Sequence, residues 1–312
     1  MPTLKEIKGR ISSVKGTLKI TAAMKLVSSA KLRKAQKATE AMRPYEEQLQ
    51  AMLAMVSATL ASAERDDFSV AKKKADAPEN SSSFLPTAII AIASNSSLCG
   101  GFNTNIIAKV RSVRKEGDVV YSIGRKMADA MRKEGFPSPE DFTRLSEHPE
   151  YAPAAALADR LAKDLEEGRI GQVLLVYTHF VSTAKQVPVI ETLMSTAESN
   201  VFSVARKKAD APENTSLPAK TDSSVNASET DAIIEPGRKE LLSLLEPKLI
   251  KLKLYAALLD SAAAEHAART VAMQTATDNG ENLLQELTLQ YNKGRQQKIT
   301  SEILDLAGGQ TD

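Results

Sequence analysis

Residues 10–43 read RISSVKGTLKITAAMKLVSSAKLRKAQKATEAMR, thirty-four residues with no proline and with Gly16 as the one glycine. Extending outward, residues 3–64 add only Gly9 and Pro44 as helix-breaking residues. The far end of the chain mirrors this, since residues 238–307 contain Pro247, Gly280 and Gly294 and otherwise nothing that stops a helix. At about 1.5 Å rise per residue, each segment would extend roughly 90–100 Å as a single helix. A helix that long cannot wrap around a compact body made from the remaining residues. It must protrude, and two such helices shelter their apolar seams by pairing.

The seams can be followed residue by residue. Thr3-Leu4-Lys5-Glu6 is a capping box that places a hydroxyl and a carboxylate on the first free amides. From it the 3–4 spacing runs Leu4, Ile7, Ile11, Val14, Leu18, and resumes at Leu32, Ala35, Met42, Leu49, Leu53, Val56, Leu60. In between, Thr21, Lys25 and Ser28 make a poor coiled-coil core. Pro44 removes one backbone bond and crowds the preceding turn, which predicts a bend near the middle of this rod. The C-terminal seam runs Leu241, Leu245, Leu252, Tyr255, Leu259, Ala262, His266, Arg269, Met273, Ala276, Gly280, Leu284, Leu287, Tyr291. Its small and polar stretch from Ala262 to Gly280 lets two backbones approach closely, and Gly308-Gly309 supplies a stop.

Between the rods the period changes. Residues 88–93, 119–123 and 173–177 are short apolar runs, and they alternate with helical stretches beginning at Asn103, after Gly124 and at Pro153. Buried strands alternating with helices predict a parallel or mixed sheet in a small α/β layer. The fold class is therefore α/β: an antiparallel two-helix coiled coil with a small central Rossmann-like domain. The expected division is a long helix over 1–65, a polar linker over 66–86, the α/β domain over 87–200, a second linker over 201–231 and a long helix over 232–312. The two linkers contain near-copies of one peptide, FSVAKKKADAPENSS at 68–82 and FSVARKKADAPENTS at 202–216. Their composition predicts surface loops, read as a tolerated insertion present twice or as a repeated basic docking peptide.

Chemistry is sparse. Cys99-Gly100-Gly101-Phe102-Asn103 follows the first strand, where a doubly wound sheet takes its ligand. It matches neither G-x-G-x-x-G nor G-x-x-x-x-G-K-[ST] and reads as a tight strand-to-helix turn. Cys99 reads as a small core residue, since no His pairs with it nearby. One cysteine excludes a disulfide framework within the chain, and three histidines make no zinc set, so no metal and no cofactor are expected. No apolar run of about 18 residues occurs, so membrane association is expected only through a partner, with no direct lipid insertion. Net charge is +2 over 312 residues, yet residues 1–40 carry ten Lys or Arg against two Glu. A basic rod of that kind is either a solvated face or a match for an acidic partner. A nucleic-acid-binding rod would interleave aromatics, and the first 43 residues contain none.

Four stretches resemble one family, the gamma subunit of the rotary proton-translocating ATP synthase of bacterial type. They are Arg10-Ile11 through Ile20-Thr21-Ala22-Ala23-Met24-Lys25-Leu26-Val27, Leu98-Cys99-Gly100-Gly101-Phe102-Asn103, Glu265-His266-Ala267-Ala268-Arg269 through Ala272-Met273 to Asp278-Asn279, and Tyr291-Asn292-Lys293 through Arg295-Gln296 to Ile299-Thr300-Ser301-Glu302-Ile303. The chain departs from the family at Asn95 and Ser96, where an Asp and a basic residue are usual, and in its Gln-Thr-Asp tail. The resemblance implies a non-catalytic central shaft that carries torque between a membrane c-ring and a catalytic hexamer of alpha and beta subunits, next to epsilon. It places the chain on the cytoplasmic face of the bacterial inner membrane. It also implies beta-subunit contacts for Met24, Lys25, Arg269, Gln296, Thr300 and Glu302. Read from the residues alone, Met24 is seam filler and Arg269 and Glu302 are members of an ion-pair face. The other reading of the whole chain is a coiled-coil-armed α/β regulatory or nucleic-acid-binding protein.

Overall fold

The computed structural model describes residues 3–66, 85–195 and 237–308, so the duplicated peptides at 68–82 and 202–216 lie outside the described residues. Helix α1 (Leu4–Asp66) and helix α6 (Arg238–Gly308) are single elements of 63 and 71 residues. The capping box is in place: the Thr3 amide donates to Glu6 Oε2 at 3.0 Å and the Glu6 amide to Thr3 Oγ1 at 3.3 Å. Neither Pro44 nor Pro247 terminates its helix. Pro44 has no amide to donate to the Glu40 carbonyl, and both residues are exposed, so the lost bond falls on the solvent side of the helix.

The two helices pair along most of their length and run antiparallel. Leu49 and Leu53 pack with Leu245, Leu249 and Leu252, and Leu32 packs with Ala263 and Ala267. Further along, Thr277 donates to Thr21 Oγ1 at 3.1 Å, Gly280 lies against Leu18 and Gly294 against Leu4. Position numbers rise on one helix as they fall on the other. The leucine end is the strong end, since each fully buried leucine contributes about 1.5–3 kcal/mol. Above Leu32 only Ile7 and Ser28 of α1 are fully buried, and the helices approach through small residues instead. A Cβ at Gly280 would stand 2.7 Å from Leu18 Cδ2. The drift of a 3.6-residue turn against a strict heptad corrects one seam position: Ala276 is exposed, and Thr277 takes its place.

Between the rods lie β1 (Thr87–Ile92), α2 (Phe102–Val113), β2 (Val119–Ile123), α3 (Arg125–Lys133), α4 (Thr143–Glu147), α5 (Tyr151–Glu166), β3 (Gln172–Phe180) and β4 (Gln186–Ser195). The sheet order is β2-β1-β3-β4, with β1 parallel to both neighbours and β4 antiparallel to β3. Ile89, Ala91 and Val176 bury one face against α2 and α3 through Ile106, Val110, Met127 and Met131. Ile90, Ile92 and Leu175 bury the other against α5 and against Leu254 and Leu258 of α6. The shaft is thus part of the core of the base. Strand β4 was not among the runs legible in the sequence. Its Pro188 has no amide to donate and its Glu191 and Thr192 are exposed, which fits an edge strand. Helix α5 begins two residues before Pro153, which still places the proline in the first turn, where its missing amide is harmless.

Candidate partner interface on the shaft

Five of the six residues singled out in the sequence fall into two groups separated along the rod, and Arg269 stands apart from both. Met24 and Lys25 are half-buried on α1, three to four residues past the Thr21–Thr277 contact. Gln296, Thr300 and Glu302 lie on α6 beyond Gly294, which is level with Leu4 at the start of α1. From there, among the described residues, no helix lies beside α6, which continues as a single helical tip. The distance from the Met24 level to that tip is about 35 Å along the axis.

On the tip, Gln296, Thr300 and Glu302 are exposed, and the Thr300 hydroxyl returns to the Gln296 carbonyl at 2.9 Å. Lys298 and Glu302 lie 3.7 Å apart, and as an exposed pair they contribute little more than a few tenths of a kcal/mol. The same tip presents Ile299, Ile303, Leu304 and Leu306 to solvent, the last at 77%. Isolated exposed aliphatics are ordinary, but Ile299, Ile303 and Leu306 at i, i+4 and i+7 put an exposed apolar side on the end of this helix, with Leu304 next to it. On α1, Ile20, Leu26 and Val27 are exposed among the lysines. Among the described residues, no ion pair neutralises Lys5, Lys8, Arg10, Lys15, Lys19, Lys25, Lys31, Arg33, Lys34 or Lys37. An unneutralised cationic rod with an apolar tip is complementary to an acidic, apolar-lined sleeve.

Arg269 is different. Only 8% of it is exposed, and its guanidinium pairs with Glu265 at 2.8 Å and donates to Ser96 Oγ at 2.8 Å. Its hydrogen bonds are made within the chain, to the loop that follows β1. That partnership was not legible in the sequence, because Ser96 is 173 positions away. The loop is also held by its neighbours, since Asn95 Nδ2 donates to the Thr143 carbonyl at 2.8 Å and the Arg125 amide donates to Asn95 Oδ1 at 2.9 Å. Ser94 Oγ donates to the Ser96 carbonyl at 2.7 Å, Asn103 Nδ2 reaches the same carbonyl at 3.3 Å, and Leu98 takes a left-handed φ of 66°. Cys99 is buried with Phe102 against Ala264, a core residue as its sequence setting implies. Helix α6 therefore occupies the crevice at the carboxyl ends of β1 and β3, where open α/β sheets hold ligands. Among the described residues no group of three or more His, Cys, Asp or Glu is arranged to hold a metal, and no helix is long and apolar enough to cross a membrane.

Beside Arg269 sits His266, whose Nδ1 has no partner. Burial, and then the Arg269 and Lys31 cations, hold its imidazole down to about 4. Below pH 6.5 the unfolded chain takes up this proton more readily than the folded one, so stability is fully present above pH 6.5 and falls as pH drops toward 4. The shift corresponds to on the order of 3 kcal/mol. Burial raises Glu265, Asp260, Glu46 and Glu246, which act in the opposite direction. Comparison with His266→Gln isolates the histidine: denaturant unfolding of the subunit at pH 6.5 and 4.5 should show a smaller acid loss in the variant. Equal losses would remove His266 from the account.

A long antiparallel helical rod is rooted in a small α/β base, and the rod itself lies along the crevice at the carboxyl ends of β1 and β3. Over residues 3–311 the chain matches the ATP synthase family. It is 41% identical to the ATP synthase gamma chain of Phocaeicola vulgatus across 99% of both chains, and 36% identical to that of Flavobacterium johnsoniae across 99% of this chain and 98% of the relative. The chain belongs to the ATP synthase gamma-chain family. In fold it is similar to a chain of the central stalk and c-ring of the Tetrahymena thermophila mitochondrial ATP synthase, with a TM-score of 0.52, 22% identity, and coverage of 82% of this chain and 99% of that one.

Proposed function

We propose that this chain is the central rotor shaft of an ATP synthase, carrying torque between a membrane ion-driven c-ring and an alpha–beta catalytic hexamer. It holds no catalytic residue; its asymmetry sets the nucleotide affinities of the hexamer by contacting its subunits differently at each angle. The observation that carries this reading is the single-helix tip beyond Gly294, apolar at Ile299, Ile303, Leu304 and Leu306, above a cationic α1. Met24 and Lys25 are assigned to the acidic loop of beta, and Gln296, Thr300 and Glu302 to beta loops higher on the shaft. Arg269 acts at the same interface through the loop it holds, whose Leu98 is 59% exposed. The shaft is assigned to segments 1–65 and 232–312, the base to 87–200, and the connections to 66–86 and 201–231. Epsilon and the c-ring are assigned to the base, on the cytoplasmic face of the inner membrane, with peripheral attachment. Family membership leaves no support for the regulatory or nucleic-acid-binding reading.

Purification from native membranes tests the assignment. The tagged chain should elute with a large ATPase that leaves the membrane at low salt. A monomer that binds ATP or RNA by itself would refute it.

A further inference from the structure

The face of α6 that meets the base is apolar throughout, and smooth where Ala264 and Ala272 meet the loop after β1. Ile250, Leu254, Ala257 and Leu258 pack into the sheet core, Ala264 packs against Cys99 and Phe102, and a Cβ at Gly100 would touch Ala272 at 3.8 Å. Burial of this kind is non-directional. It resists pulling the helix off the base, but alanine against glycine offers few ridges to oppose turning or sliding. A shaft that carries torque needs contacts that fail when the angle changes, and hydrogen bonds have that property because distance and direction both matter.

Two sets of such contacts flank the smooth stripe. Asp260 uses both carboxylate oxygens on the end of β3: Oδ1 accepts the Phe180 amide at 3.1 Å, and Oδ2 lies 2.6 Å from His179 Nδ1. Nine residues further on, Arg269 donates to Ser96 Oγ in the loop after β1. Nine residues earlier, Lys251 pairs with Asp159 of α5 at 2.8 Å. Nine residues are about two and a half turns, so Asp260 projects from one side of the stripe and Lys251 and Arg269 from the other. Rotation of α6 in either sense stretches one side. The anchors are themselves held, Ser96 by Ser94 and Asn103 and the Phe180 amide by the strand end it closes.

We propose that these opposed polar contacts key α6 to the base against rotation, which makes Asp260 and Ser96 positioning residues for torque transfer. The proposal rests on the shaft reading above. It locates the crossing point of the load at the carboxyl ends of β1 and β3.

The test uses the assembled ATPase carrying Ser96→Ala, Asp260→Ala and the double variant. With the hexamer immobilised and nucleotide-locked, the angular spread of a probe on the base is recorded. In membrane vesicles, proton pumping against an imposed gradient is compared with ATP hydrolysis. The expected result is a broader angular spread and a loss of pumping per ATP hydrolysed, larger in the double variant than in either single one. Ser96→Thr, which keeps the hydroxyl, restores both. A double variant that assembles with the spread and pumping ratio of the unmodified enzyme overturns the clamp. If the double variant does not assemble, Ser96→Ala decides alone, since Ser96 is exposed and its truncation opens no cavity. An unmodified chain that never enters the ATPase refutes the shaft reading instead.

Discussion

Met24→Lys is expected to give a normally assembled ATPase that hydrolyses ATP but couples it poorly to proton transport. The side chain is half-buried and belongs to none of the buried clusters, so a lysine there can carry its ammonium outward at little cost to the rod. If the site meets an acidic loop of beta, the new cation forms a bond in some rotational states and not in others. Two unit charges at about 4 Å are worth on the order of 4 kcal/mol before desolvation at an effective dielectric of about 20. A bond of that size in one state raises the barrier for leaving it. Complex yield and the ratio of pumping to hydrolysis decide the matter. Low yield with normal coupling would show Met24 to be seam filler.

Gly124→Ala should cost the base far more than any surface change. Gly124 has a φ of 100°, which side chains rarely adopt, and an added Cβ would lie 2.2 Å from the Ala93 carbonyl oxygen. That carbonyl already accepts from Ser146 at 2.6 Å, and the Ala93 amide bonds Ile123, so the turn has nowhere to move. Backbone strain and overpacking together give on the order of 3–5 kcal/mol. Gly117 serves as the control, since its φ is 94° but nothing lies within 4 Å of its Cβ position. Gly117→Ala should cost only the backbone part, about 1 kcal/mol. Denaturant unfolding of the two variants that gave equal midpoints would remove the steric argument.

The rods were legible because their signal is repetitive. Scarcity of Gly and Pro and a seam from Leu4 to Val56 say the same thing many times, and the buried positions Ile7, Leu32, Leu49 and Leu53 fall on that seam. The three hydrophobic strands were legible because β1, β2 and β3 are buried on both faces and read as unbroken apolar runs. Strand β4 was not, because an edge strand with Pro188, Glu191 and Thr192 has the composition of a loop. The polar partnerships were illegible for a different reason. Arg269 with Ser96, Asp260 with His179 and Lys251 with Asp159 join residues 173, 81 and 92 positions apart, and no local pattern marks either member. All three, moreover, involve a charged residue that reads equally well as a solvated one.

The antiparallel pairing of α1 and α6 also dictates an order of events during synthesis. Helix α1 ends at Asp66, and the residue that meets its first turn is Gly294. At ribosomal speeds of about 5–20 residues per second, α1 waits on the order of 10–50 s before that partner emerges. Closing so long a loop directly is entropically slow, whereas a base already folded would bring the leucine ends of the two helices together first. The rod then zips from Leu53 and Leu245 toward its tip, strongest contacts first. During the wait, Leu49, Leu53 and Val56 have no cover against other nascent chains. For that interval the charge of the α1 lysines is what keeps a lone helix dispersed.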